Sequence, residues 1–172
     1  MKALGKILSA TTILLAGACL LLIPDFAASR TQQMADMQHD HAANADEPIP
    51  MFHAEPAKDA LPPTMEPSLF PDIVVFNAYM VAGRVKKVLY QEPCYCHCDR
   101  SQGHGSLLDC FVGRHGAGCD TCIKEAFYAY EQTHKGKTPT QIREGIIRGE
   151  WQNVNVAKYQ AAHLPPSNAT TK

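Results

Sequence analysis

The chain has 172 residues, a formal net charge of −1 at pH 7 and 45% hydrophobic residues. That length holds one modest domain with attachments. A near-zero charge with no basic patch interleaved with aromatics gives no footprint for nucleic acid. The hydrophobic share overstates the core, because much of it lies in the first 28 residues.

In that segment Lys2 and Lys6 precede an apolar run from Ile7 to Ile23, and Ala27-Ala28-Ser29 follows as a small-residue cleavage site. A charged start, an apolar stretch and such a site mark a secretory signal. The run of 17 residues also sits at the short end of what spans a bilayer, so residues 1–29 read as a signal sequence or a retained N-terminal anchor. Cys19, in LAGAC, resembles a lipid-attachment cysteine, although apolar Leu20–Ile23 follow where a lipidated terminus usually turns polar. Either route predicts an exported protein, periplasmic or at the cell surface, with membrane attachment through its N-terminus as an option.

Residues 30–69 read as a linker. Pro48, Pro50, Pro56, Pro62, Pro63 and Pro67 break helix and sheet ladders, and apolar periodicity is weak, so extended or disordered backbone is expected. The segment also carries Met34, Met37, His39 and His41, with Met51 and His53 downstream. Thioether and imidazole together suit copper, though a polar linker also collects such residues by chance.

The folded unit is expected over residues 70–152. In PDIVVFNAYMVAG, Pro71 or Asp72 suits a first turn, and Ile73, Phe76 or Asn77, Met80 and Val81 recur near helical spacing. Gly83 is read as an interruption. Val85, Val88 and Leu89 make a further short helix that stops before Pro93. Beyond residue 119, Asp120 is placed to cap a helix from Thr121 to about Lys135, with Ile123, Phe127 and Tyr130 on one face and Gly136 ending it. Thr138-Pro139-Thr140-Gln141 is a capping box with Pro at the first helical position. It opens a helix to about Arg148, with Ile142, Ile146 and Ile147 inward and Trp151 just beyond. Residues 153–172 read as a flexible tail. The fold class is therefore mainly α, a small domain of three to four helices around a cysteine-rich loop. A domain of about 85 residues with so few large apolar side chains commonly relies on a metal or on disulfides.

That loop is the densest chemistry in the chain. CYCHCDRSQGHGSLLDCFVGRHGAGCDTC, Cys94 to Cys122, holds six of the seven cysteines and three histidines. For an exported chain three disulfides are possible, pairing Cys94, Cys96 and Cys98 with Cys110, Cys119 and Cys122. Disulfides within the C-x-C-x-C trio would close small, strained rings, and staples leave the histidines unexplained. Thiolates at these spacings are also metal ligands. A C-x-x-C pair is the common half of a tetrahedral zinc site, and clustered thiolates select Zn(II) or Cu(I). The ligand pool is Cys94, Cys96, Cys98, Cys110, Cys119 and Cys122, with His104 and His115 as additions. His97 is placed less well, since in an extended segment its side chain opposes the cysteines. Six sulfurs suffice for one closed site with spare thiols or for a two-metal cluster.

Redox chemistry is the competing reading. Cys119 and Cys122 sit at a helix N-terminus, where the dipole favours thiolate. Thioredoxin-like enzymes place such a pair after a β-strand, and no strand pattern precedes Cys119. Haem attachment is disfavoured because Ile123, not histidine, follows Cys122. A third reading is a disulfide-stapled interaction module. No catalytic residue is assigned outside the redox reading.

Pro93-Cys94-Tyr95-Cys96-His97-Cys98, then GHGSLLDCF, the C-x-x-C pair and the following capping box resemble the bacterial PCYCGC-motif family, also described as CYCXC (seleno)proteins. The resemblance covers about residues 70–151 and implies an exported, often lipid-anchored protein without an assigned reaction. Selenocysteine in some relatives implies a chalcogen position that is reactive or binds soft metal. His97 stands where the family motif carries glycine, so no tight backbone turn is expected to be required there.

Overall fold

The computed structural model describes residues 48–161, 163 and 164. The N-terminal segment 1–29, Cys19 and the tract Met34, Met37, His39 and His41 lie outside the described residues. Six α-helical segments and four 3-10 turns account for the regular structure among the described residues, with no strand. None of these helices is long and apolar enough to cross a membrane.

Helix α1 (Ile73–Arg84) starts on Asp72, whose carboxylate accepts from the Val74 and Val75 amides at 2.8 and 3.0 Å. The helix runs through Gly83 rather than breaking there. A Cβ at that position would stand 3.2 Å from the Thr64 hydroxyl, so the missing side chain serves close passage of the 60s segment, not termination. The buried residues are Asn77, Ala78, Tyr79, Val81 and Ala82, whereas Ile73 and Met80 are only half-buried. The inward face is thus rotated from the one that large side chains alone suggest. Its alanines let backbones come close.

Helix α2 (Lys86–Leu89) follows at once and buries Leu89. Inside the cysteine-rich window stand two single-turn segments, α3 (Cys98–Ser101) and α4 (Asp109–Val112). Neither is long enough to show a hydrophobic period, which is why they escape a reading by pattern.

Helix α5 (Asp120–His134) is the centre of the fold, packing on α1, α2 and α6. Cys122, Ile123, Glu125, Ala126, Phe127, Tyr128 and Ala129 are all buried, so most of its circumference is covered. Its cap is one residue earlier than expected. Cys119 has extended geometry and its Sγ accepts from the Cys122 amide at 3.4 Å, leaving Asp120 as the first helical residue. Gly136, at φ +77°, closes the far end. Helix α6 (Pro139–Ile147) carries the expected capping box: Gln141 N donates to Thr138 Oγ1 at 3.3 Å and Thr138 N to Gln141 Oε1 at 3.1 Å. Ile142 and Ile146 are fully buried and Trp151 nearly so.

Rings fill the remaining core. Phe70 stacks on Tyr79, Tyr79 meets Phe111 edge-on, and Phe127 stacks on Tyr159 from the C-terminal tail. Asn77 clasps that tail, donating to Tyr159 O and accepting from Leu164 N, both at 2.8 Å. On the other side, the stretch from Pro48 runs without α-helix to Pro67–Leu69, a 3-10 turn, and lies along the domain. His53 stacks on Tyr90, and Met65 N donates to Phe111 O at 2.9 Å.

Candidate metal centre

Three arms of backbone converge to make the site. The first, Cys94–Cys98, is a turn: His97 N donates to Cys94 O at 3.1 Å, and His97 itself is left-handed, at φ 55° and ψ 34°. An extended C-x-C-x-C would spread its thiols along one face of a strand. The turn gathers them instead.

The second arm is buried by its own leucines. Leu107 and Leu108 are in the core, and their amides donate to Glu92 O at 2.9 Å and Leu89 O at 3.2 Å. These bonds hold α4 against the end of α2 and deliver Cys110, fully buried, to the first arm. The third arm is the 3-10 turn His115–Gly118 leading into α5. At Gly116 a Cβ would stand 3.0 Å from the Cys110 carbonyl oxygen and 3.1 Å from the Phe111 ring. Only glycine lets this arm close on Cys110, and that closure brings in His115, Cys119 and Cys122.

The result is a knot of sulfur. Cys94 Sγ lies 3.3 Å from Cys96 Sγ and 3.4 Å from Cys122 Sγ, and Cys122 Sγ lies 3.5 Å from Cys96 Sγ. Cys98 Sγ is 3.4 Å from Cys110 Sγ. His115 Nε2 approaches Cys96 Sγ at 3.4 Å. Two sets of four ligand atoms each fall within 4.8 Å: Cys94, Cys96, Cys98 and Cys110, and Cys96, Cys110, His115 and Cys122. All six cysteines of the window are free thiols.

Two of the predicted ligands are adjacent to these sets but not in them. His104 Nδ1 lies 3.4 Å from Cys110 Sγ, and its ring meets that of His115 edge-on at 5.3 Å. Cys119, half-exposed, is engaged as the cap of α5. Of the downstream linker residues, His53 faces Gly105 beside His104, and Met51 N donates to Asp99 Oδ2 at 3.3 Å; neither enters a ligand set.

Sulfur-to-sulfur contacts distribute the protons unevenly. Cys96 is lowered chiefly by its contact with Cys110, and Cys110 chiefly by its contact with Cys122. Cys94, Cys98 and Cys122 are raised, in each case first by the contact with Cys110. Thiolates crowded together are costly without a cation. The donor types, thiolate sulfur with one imidazole, suit a soft or borderline metal, and the described cysteines with His115 could hold one.

A family model described as "Protein of unknown function with PCYCGC motif" matches residues 18–153. The chain belongs to that family. No curated protein and no solved structure matches it.

Within the PCYCGC frame this chain reads PCYCHC, with His97 in the glycine position. The expectation that no tight turn is needed there is corrected: the turn is present and His97 adopts the left-handed backbone itself. It is the one non-glycine residue with positive φ among those described. Glycine takes that conformation freely, whereas another residue gives up about 1–2 kcal/mol.

Two further residues were missed by sequence reasoning. Glu125 is fully buried one turn after Cys122, and its Oε1 accepts from the Tyr95 amide at 2.9 Å, fixing the residue between Cys94 and Cys96. Burial raises its carboxyl well above the ordinary range. Glu92, also fully buried, is pushed up to about 8 by burial, with Arg143 opposing. A glutamate on the apolar face shared by Cys122, Ala126 and Ala129 was the available signal for Glu125. Glu92, beside a proline, offered none.

Proposed function

We propose that this PCYCGC-family protein binds a soft or borderline transition metal through its clustered thiolates and serves in metal handling outside the cytoplasm. One observation carries the reading: five sulfurs and the His115 imidazole converge from three arms, with the nearest pairs at 3.3 to 3.5 Å. Metal–sulfur bonds of about 2.3 Å in a tetrahedron set ligand edges of about 3.8 Å. The observed spacings lie close to that edge and far from the bond of about 2.05 Å that a disulfide needs. Zn(II) fits a structural role here, and Cu(I) fits a carried or buffered cargo. The charged and apolar N-terminal segment supports export, with the site facing the periplasm or cell exterior.

Purification of the full chain without oxygen, followed by elemental analysis and thiol counting, tests the reading. Stoichiometric zinc or copper is expected, with thiols that alkylate only after a chelator is added. Metal well below stoichiometry together with three disulfides would support the stapled module instead. A single fast-alkylating thiol and no metal would support a thiol–disulfide protein, whose exposed member would be Cys119.

A further inference from the structure

Most of the donors in the knot are sealed from solvent. Cys94, Cys98, Cys110 and Cys122 are each 3% exposed or less. Cys96 and His115 are half-exposed, and His115 Nε2 lies 3.4 Å from Cys96 Sγ. Cys96 Sγ belongs to both four-atom sets, so any ion held by either set has Cys96 at its outer side. A donor arriving from solvent meets the centre first at this edge.

Cys119 stands at the same edge. It is half-exposed, its Sγ is outside both sets, and it interacts with the sulfurs of Cys122 and Cys96. The approach to it is open: Gly118 is exposed, and a Cβ there would meet nothing within 4 Å. The hydrogen bond from the Cys122 amide, at 3.4 Å, engages one lone pair of Cys119 Sγ and leaves another for a cation.

We infer that Cys119 is the transfer ligand of the centre, through whose sulfur a soft ion passes between the Cys96 edge and a thiol-bearing partner. This inference rests on the metal-binding reading above and adds a route for the ion and the chemistry of the partner.

An ion released from thiolates into water gives up its whole shell at once. Exchange of one ligand at a time keeps it bound throughout. The ion gains a bond to Cys119 Sγ, loses its bond to one resident donor, and then trades its remaining donors for sulfurs of the partner. Every thiol that binds the ion, at Cys119 or on the partner, gives its proton to water. Every resident sulfur left behind takes one up, and the ion keeps its oxidation state. The partner is a thiol because a soft ion leaving sulfur is held comparably well only by sulfur. A protein thiol pair and a small monothiol share that chemistry.

Cys119→Ser removes the sulfur and keeps the helix cap, since serine is a favoured N-cap. The full chain loaded with Cu(I) is mixed without oxygen with a synthetic C-x-x-C peptide or, in a second arm, with free cysteine. Native mass spectrometry follows loss of the ion. For the unaltered chain the rate is expected to rise with acceptor concentration, and the faster arm shows which kind of thiol the edge serves. In C119S the ion count and the affinity for Cu(I) are expected to be unchanged. Transfer should slow about tenfold, the low end of what loss of a residue beside a metal shell costs. A rate independent of acceptor concentration, or equal rates in variant and wild type, would overturn the transfer role and leave the metal-binding reading standing. Loss of affinity in C119S would make Cys119 a resident ligand and overturn the role as well. A chain that takes up no Cu(I) would overturn the transfer inference, and one that takes up neither Cu(I) nor Zn(II) would overturn the metal-binding reading with it. The concentration dependence uses the unaltered chain, so it stands even where the variant fails to fold.

Discussion

At the scale of residues, His97 is where sequence and backbone disagree most sharply. The three cysteines around it converge because position 97 turns left-handed, and the residue there is one that resists the turn. His97→Gly is expected to stabilise the folded protein by about 1 kcal/mol, since strain of about 1–2 kcal/mol is relieved and part is returned as glycine's extra unfolded freedom. The urea midpoint should rise while the bound-ion count stays unchanged. A lower midpoint would show that the imidazole contributes more than its backbone costs. The cysteine cluster was legible in the sequence because C-x-C-x-C and C-x-x-C are local. The turn was not, since φ at one residue leaves no mark on spacing.

Glu92 supplies a pH signature at the same scale. Burial raises its carboxyl from 4.5 to about 8 in the folded chain. The native state therefore holds a proton that the unfolded state releases, so Glu92's contribution to stability falls as pH rises across that window. Glu92→Gln removes the effect. The stability difference between variant and wild type, read by urea unfolding in chelator, should grow in the variant's favour from pH 5 to pH 8. A difference that is flat with pH would contradict the assignment.

At the scale of elements, helix positions followed from caps and breakers more faithfully than helix faces did. The box at Thr138–Gln141 opens α6 as its residues dictate, because both partners lie within one turn. Cys119 took the cap from Asp120 because its backbone is extended there and its sulfur accepts from the Cys122 amide. The buried face of α1 was less legible, since close packing selects Ala78 and Ala82 over larger neighbours. The same closeness governs α5 and α6. Tyr128 Oη donates to Glu150 Oε2 at 2.5 Å across Gly145, and a Cβ on Gly145 would collide with the hydroxyl. By helix propensity alone, Gly145→Ala stabilises by about 1 kcal/mol. Overpacking reverses the sign, and a net loss of about 1–3 kcal/mol in chemical denaturation is expected. A gain would show that the two helices have room to part.

At the scale of the whole molecule, the cysteine knot stands where three arms meet the N-terminal end of α5. The α1, α5 and α6 packing has its own apolar core, with Tyr79, Phe127, Ile142 and Ile146 fully buried. The arms are tied to that core by the buried Leu107, Leu108 and Phe111, by the backbone bonds at Leu107 and Leu108, by the Tyr95 amide on Glu125 and by the Gly116 contact, and otherwise meet through their sulfurs. On the proposed reading, a metal bound there would join segments distant in sequence and so couple binding to folding. Stripping the ion with a chelator should lower the melting temperature and expose the six thiols to alkylation before the helices melt. Unchanged melting and unchanged thiol protection would separate the knot from the stability of the fold.

The most direct test of thiolate coordination is X-ray absorption at the metal edge of the zinc-loaded full chain. A first shell dominated by sulfur at about 2.3 Å, with a minor nitrogen component, is the predicted result. A shell dominated by oxygen or nitrogen at about 2.0–2.1 Å would contradict it.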